Sequence, residues 1–149
     1  MKESIVKLMD LAKDRSKQIV TSGDTLVPIL LVEEPEGVSV VGVVINHELK
    51  DKAQEVLIEV LRKADASGYV FICEAWSTHS MRPLTEGVAV SELPLDDRTE
   101  IVIILAVEKG GEVLTVQAKI TDIRGRRSLG EFKELIGTSL SSRFIVKDW

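Results

Sequence analysis

Glu74 is the residue whose chemistry most needs an explanation. It interrupts the apolar run Tyr69-Val70-Phe71-Ile72-Cys73-Glu74-Ala75-Trp76, and a carboxylate in such surroundings must be paired or titrate away from its ordinary range. Three roles are open to it. The leading one is an ion pair with Arg82 or Arg98 that pins the following loop; the others are a ligand contact and general acid–base work. Residues 77–99 gather His79, Met81, Arg82, Glu86, Asp97 and Arg98 with no clear periodicity. Long stretches without structure of their own often carry function, and ligands of α/β sheets favour the carboxyl ends of strands. The candidate binding residues are therefore Glu74, Trp76, His79, Arg82, Asp97 and Arg98. The plainer readings come first for two of them: Trp76 as an edge-of-core aromatic and His79 as a solvated loop histidine. No residue is assigned a catalytic role.

The remaining reactive side chains point away from catalysis. Cys73 is the single cysteine and sits in an apolar run, which suits a small core residue better than a thiolate nucleophile. The order of elements given below resembles the opening of the cytidine-deaminase and JAB/MPN zinc-hydrolase folds, yet neither motif is present. His47-Glu48 lacks the spacer of His-x-Glu, and one cysteine cannot make Pro-Cys-x-x-Cys. Thr78-His79-Ser80-Met81-Arg82-Pro83 lacks a second histidine, and Pro94 stands where the closing aspartate of Ser-x-x-Asp belongs. Zinc chemistry is rejected, and no metal or cofactor is expected. Gly110-Gly111 and Gly125 have no phosphate-loop spacing around them. Arg124, Arg126 and Arg127 read as a solvated basic turn.

Periodicity supplies the elements that must hold these residues. Ser4 to Thr21 is an amphipathic helix on Ile5, Leu8, Met9, Ala12, Ile19 and Val20. Arg15 and Ser16 break its stripe, and Gly23 suits its stop. Leu26–Val32 and Val38–Ile45 form a hairpin across Glu33–Gly37. Pro28 has no N–H to donate, which places it at an edge, a bulge or the strand's beginning. A second helix runs from Asn46-His47-Glu48 to about Ala66, with Glu59 and Lys63 paired four apart and Ser67-Gly68 as its stop. Tyr69–Trp76 is a central strand covered on both faces. Glu100–Glu108 and Glu112–Thr121 form a hairpin over Lys109-Gly110-Gly111, with Leu114, Val116, Ala118 and Ile120 on its dry side. Residues 128–135 read as a sixth strand or a short helix, since Leu129, Phe132, Leu135 and Ile136 fit helical spacing about as well, and strand is preferred. The expectation is one α+β domain over residues 1–149. It has two helices on a mixed sheet of five to six strands, the second helix joining parallel neighbours by a right-handed crossover.

Composition limits what such a domain does. The chain is 44% hydrophobic and 29% charged, an ordinary globular balance. Its longest apolar runs, Leu26–Val32 and Ile101–Val107, fall far short of the roughly 20 residues that cross a bilayer. No membrane role and a cytoplasmic location are expected. Net charge is −5, which disfavours nucleic acid, although residues 109–149 carry a local excess of basic groups. One Asn and three Gln are few, as in thermophile proteins.

Glu74-Ala75-Trp76 closing a strand, a proline-containing loop, and Asp97-Arg98-x-Glu100 opening the next strand resemble a pattern in small uncharacterised prokaryotic proteins. The resemblance covers residues 69–120 and implies that Glu74, Trp76, Asp97, Arg98 and Glu100 act together; it brings no activity with it. The leading expectation is a non-enzymatic module that binds a protein partner or forms a homo-oligomer through open sheet edges. The alternative is a small-molecule-binding protein or hydrolase whose site is Glu74, His79, Arg82 and Arg98.

Overall fold

The computed structural model describes residues 1–43, 52–78, 98–135 and 144–149, the side chains of Thr78 and Arg98 excepted. Helix α1 spans Glu3–Thr21 and buries Ile5, Leu8, Met9, Ala12, Ser16 and Val20. Its stripe is continuous where a break at Ser16 is expected from sequence. The Ser16 hydroxyl is fully buried and donates to the Ala12 carbonyl at 2.7 Å, so its polar atom is satisfied within the helix. Gly23, at φ +87°, turns the chain out of α1.

Strands β1 (Ile29–Glu34) and β2 (Gly37–Gly42) form the first hairpin, with Pro35-Glu36 as a two-residue turn. Pro28 precedes β1, where its carbonyl accepts from the Val43 N–H at 3.0 Å and its missing N–H removes only the return bond of that last pair. Helix α2 covers Ala53–Lys63 and buries Leu57 and Leu61. Its expected start at Asn46–Glu48 lies outside the described residues. Its end comes earlier than expected, because Asp65 adopts φ +50° and reverses the chain before Gly68 is reached. Lys63 and Glu59 make the anticipated i,i+4 pair at 2.9 Å.

Three long strands, β3 (Gly68–Thr78), β4 (Arg98–Glu108) and β5 (Val113–Ile123), and two short ones, β6 (Arg126–Leu129) and β7 (Lys133–Glu134), complete the sheet. The order is β2-β1-β3-β4-β5-β6, with β7 also on β5. The fold is α+β with a seven-stranded sheet. Every described ladder is antiparallel, which corrects the mixed sheet and the parallel neighbours expected from sequence. The reason is topological: β1 sits between β2 and β3, so the two strands joined through α2 run parallel without touching. Within residues 128–135 strand is found at the end of β6 and in β7, separated by residues 130–132, where the Gly130 N–H donates to the Lys119 carbonyl. Strands β3 and β4 also take the ends of the expected 77–99 loop, and residues 79–97 lie outside the described ones.

Alternation along β3 explains its apolar run. Val70 and Ile72 meet Val102, Ile104 and α1 on one face, while Tyr69 and Phe71 meet Leu105, Val107 and α2 on the other. The segment 144–149 closes the second face. Phe144 stacks on Phe71 with centroids 4.4 Å apart, and the Trp149 indole N–H donates to the Ala66 carbonyl. Tyr69 is fully buried; its hydroxyl donates to the Phe144 carbonyl and accepts from the Val146 N–H. Burial pushes its pKa up to about 12, so the hydroxyl stays a donor at every physiological pH.

Gly68 opens β3 where nothing larger fits. A Cβ there would lie 2.8 Å from the Val107 carbonyl oxygen and would overlap the Ile5 side chain. Gly68→Ala is therefore expected to lower unfolding stability by about 1–3 kcal/mol, the range for overpacking, measured by urea denaturation. An unchanged midpoint would contradict this packing.

Candidate functional site

Strand parity brings Glu74, Trp76, Glu100 and Val102 to the α1 face of the sheet, since Trp76 stands opposite Glu100 and Glu74 opposite Val102. The same face continues through Ile120 and Asp122 on β5 to Leu129 and Arg127 on β6. The β5–β6 turn makes this possible. Arg124 and Gly125 both have positive φ, the signature of a two-residue hairpin loop, and the Asp122 carboxylate accepts from the Gly125 N–H at 3.0 Å. That turn sets Arg127 directly opposite Asp122.

Arg127 is the partner of Glu74. Its Nη2 lies 3.1 Å from Glu74 Oε1 and 3.2 Å from Glu100 Oε1, and its Nη1 donates to the Asp24 carbonyl at 2.9 Å. Glu74 Oε1 also accepts from the Leu26 N–H at 3.0 Å. The Arg127 and Glu74 side chains are each only 13% exposed, so these are largely desolvated, charge-assisted contacts. Arg127 reads from sequence as part of a solvated basic turn; the structure places it in β6 with its side chain turned inward.

One guanidinium faces two carboxylates, and Glu100 shows the imbalance. Burial pushes its pKa up, Arg127 pulls it down, and the charge of Glu74, a hydrogen bond between the two carboxyls and the charge of Asp122 push it up again. The net direction is upward. Cys73 faces the other side of the sheet, and burial, then the Glu74 charge, raise its thiol pKa to about 11. At neutral pH it is a thiol, unsuited to nucleophilic attack.

Of the six candidate residues, the structure brings Glu74 and Trp76 to one face, and Trp76 is 37% exposed there. His79, Arg82 and Asp97 lie outside the described residues, as does the Arg98 side chain at the start of β4. Among the described residues the ion-pair partner of Glu74 is Arg127, while the anticipated partners Arg82 and Arg98 have side chains outside them. Glu100 joins Glu74 at the Arg127 guanidinium. A surface groove of about 320 Å³ between α1 and residues 129–132 is lined by none of the six. Among the described residues no three His, Cys, Asp or Glu side chains converge as metal ligands, and no helix is long and apolar enough to cross a membrane.

No family model, curated protein or solved structure matches this chain.

Two measurements test the cluster. Arg127→Met strands two carboxylates against the sheet and is expected to cost roughly 3 kcal/mol, the low end for removing one partner of a buried pair; a loss below about 1 kcal/mol, the value of a surface pair, would contradict its burial. Glu100 ionises less readily in the folded chain than in the unfolded one. Its ionisation penalty is absent below the ordinary carboxylate range and complete once pH exceeds the raised folded value. The stability of Glu100→Gln relative to the wild type should thus improve as pH rises from acid to neutral, followed by urea midpoints; the opposite trend would contradict the raised pKa.

Proposed function

We propose that this protein is a binding module that acts without catalysis, by adding a strand to its open β2 edge, and that its partner is a second copy of itself. The observation that carries this reading is the character of β2. Among the described residues the strand Gly37-Val38-Ser39-Val40-Val41-Gly42 ends the sheet, carries no charge and no proline, and exposes Val38 and Val40, the latter at 68%. Edge strands that stay unpaired are normally short, charged, bulged or covered, because their free N–H and C=O groups template further pairing. The opposite side of the sheet has that protection: β6 is four residues long and begins with two arginines.

Helix α1 leaves the apolar side chains of β2 uncovered, since it packs chiefly over β3, β4 and β6. Val38 and Val40 share the α1 face with Leu31, opposite which Val40 lies in the ladder. A strand laid along β2 gains hydrogen bonds from the backbone and apolar contact from these two valines, the mode known as β-augmentation. The interface is small, below the ~1,200 Å² of standard stable complexes, so association in the micromolar range is the expectation. The reading includes a cytoplasmic setting, in which the lone cysteine stays reduced.

Light scattering coupled to size exclusion, run from micromolar to millimolar loading, tests it. The wild type is expected to shift towards a dimer with concentration, and Val40→Lys, a change at an exposed position, is expected to stay monomeric with an unaltered circular dichroism spectrum. A wild type that remains a monomer throughout, or a Val40→Lys variant that dimerises equally, would overturn the reading.

A further inference from the structure

We infer that β2 pairs antiparallel with β2 of a second copy in one register, with Val40 facing Val40 across a twofold axis. The inference rests on the self-association proposed above and adds its geometry. The β1–β2 ladder decides which backbone groups are free. The Val43 N–H donates to the Pro28 carbonyl, and the register pairs Leu30 with Val41, Val32 with Ser39 and Glu34 with Gly37. Hydrogen-bonded and non-bonded pairs alternate in an antiparallel ladder, so residues 37, 39 and 41 direct their N–H and C=O at β1, and Val43 directs its N–H there. Val38, Val40 and Gly42 direct both groups at the outer edge, where no other described strand pairs with them.

A twofold axis through the sheet maps each face onto itself, so residues paired across it must lie on one face and both point outward. Only a few registers meet this condition. With Val38 on the axis, a single self-pair forms before the Pro35-Glu36 turn intervenes. With Ser39 on the axis, Val38 pairs with Val40 twice, and Gly42 falls opposite the turn. With Val41 on the axis, Val40 pairs with Gly42 twice and Val38 meets no residue of β2, and with Gly42 on the axis only that glycine pairs within β2. With Val40 on the axis, Val38 pairs with Gly42, Val40 with Val40 and Gly42 with Val38. All three outward residues are then used in both copies, and no charged residue enters the ladder.

Side chains favour the same register. The two Val40 side chains cover each other, and each Val38 lies against the bare backbone of the other copy's Gly42, around which there is open space. The acidic turns, carrying Glu33, Glu34 and Glu36, fall at opposite ends. Four residues on either side of the axis at about 3.3 Å each separate the two Glu36 positions by roughly 26 Å, well beyond the screening length of about 8 Å in physiological salt. A parallel pairing would set the two turns side by side.

Single cysteines read the register directly. Facing residues of a hydrogen-bonded antiparallel pair have Cα atoms about 5.5 Å apart, inside the range a disulfide spans. In a Cys73→Ser background, Val40→Cys is expected to form a disulfide dimer under mild oxidation at least tenfold faster than Ser39→Cys or Val38→Cys. Faster cross-linking of Ser39→Cys would overturn this register while leaving self-association standing. No preference at Val40, in a protein that light scattering shows to be dimeric, would place the interface elsewhere and overturn the inference. A protein monomeric by light scattering would remove both the register and the reading beneath it.

Discussion

A single guanidinium holds one margin of this sheet together. Arg127 reaches from β6 across β5 to carboxylates on β3 and β4, and its second nitrogen grips the carbonyl of Asp24 in the link between α1 and β1. Four separate pieces of chain are fixed by one side chain. Removing it leaves charge without a counter-charge in a poorly hydrated place, which is why one partner costs more to lose than the pair contributes. The contact also ends the apolar layer beneath α1: beyond Val102 and Ile120 the same face carries Glu100, Asp122 and Arg127, and the core gives way to a polar rim.

That closure makes the two sides of the sheet unlike. The β6 side is short, basic and tied inward. The β2 side offers uncharged backbone and uncovered valines, with its neighbour β1 buried in the middle of the layer. A sheet with one sealed margin and one open margin extends in a single direction, and an isologous pairing through the open one ends in a closed dimer. The charge of Glu100 belongs to the sealed margin, so pH acts on the stability of the fold there and leaves the uncharged β2 ladder alone.

Much of this architecture is legible in the residues. The amphipathic stripe of α1, the α2 pair Glu59–Lys63, the continuous apolarity of β3 and the alternation of β5 all predict what is found, because each reports a local period. The strand neighbours are different. Nothing in the β2–α2–β3 stretch says that β1 lies between the strands it joins, since that choice is made by long-range packing. The unusual character of Glu74 is legible from its apolar setting, while sequence proximity points to the arginines of the following loop and not to Arg127, 53 residues on. The signal for Arg127 was present in the pattern of β5: extending the dry side from Ile120 to Asp122 and crossing a two-residue Arg-Gly turn puts Arg127, with Leu129 two residues on, on that face. A run of three arginines masks the signal because most such runs are solvated. Ser16 was misplaced for a related reason, as a hydroxyl that bonds within its own helix turn can be buried like an apolar group.

The central claim is that the outward amides of Val38, Val40 and Gly42 find partners when two copies meet. Amide hydrogen exchange, followed residue by residue as protein concentration is raised, tests this most directly. The account predicts that these three amides slow with concentration while those of β6 keep one rate. Fast, concentration-independent exchange at Val38, Val40 and Gly42 would contradict it.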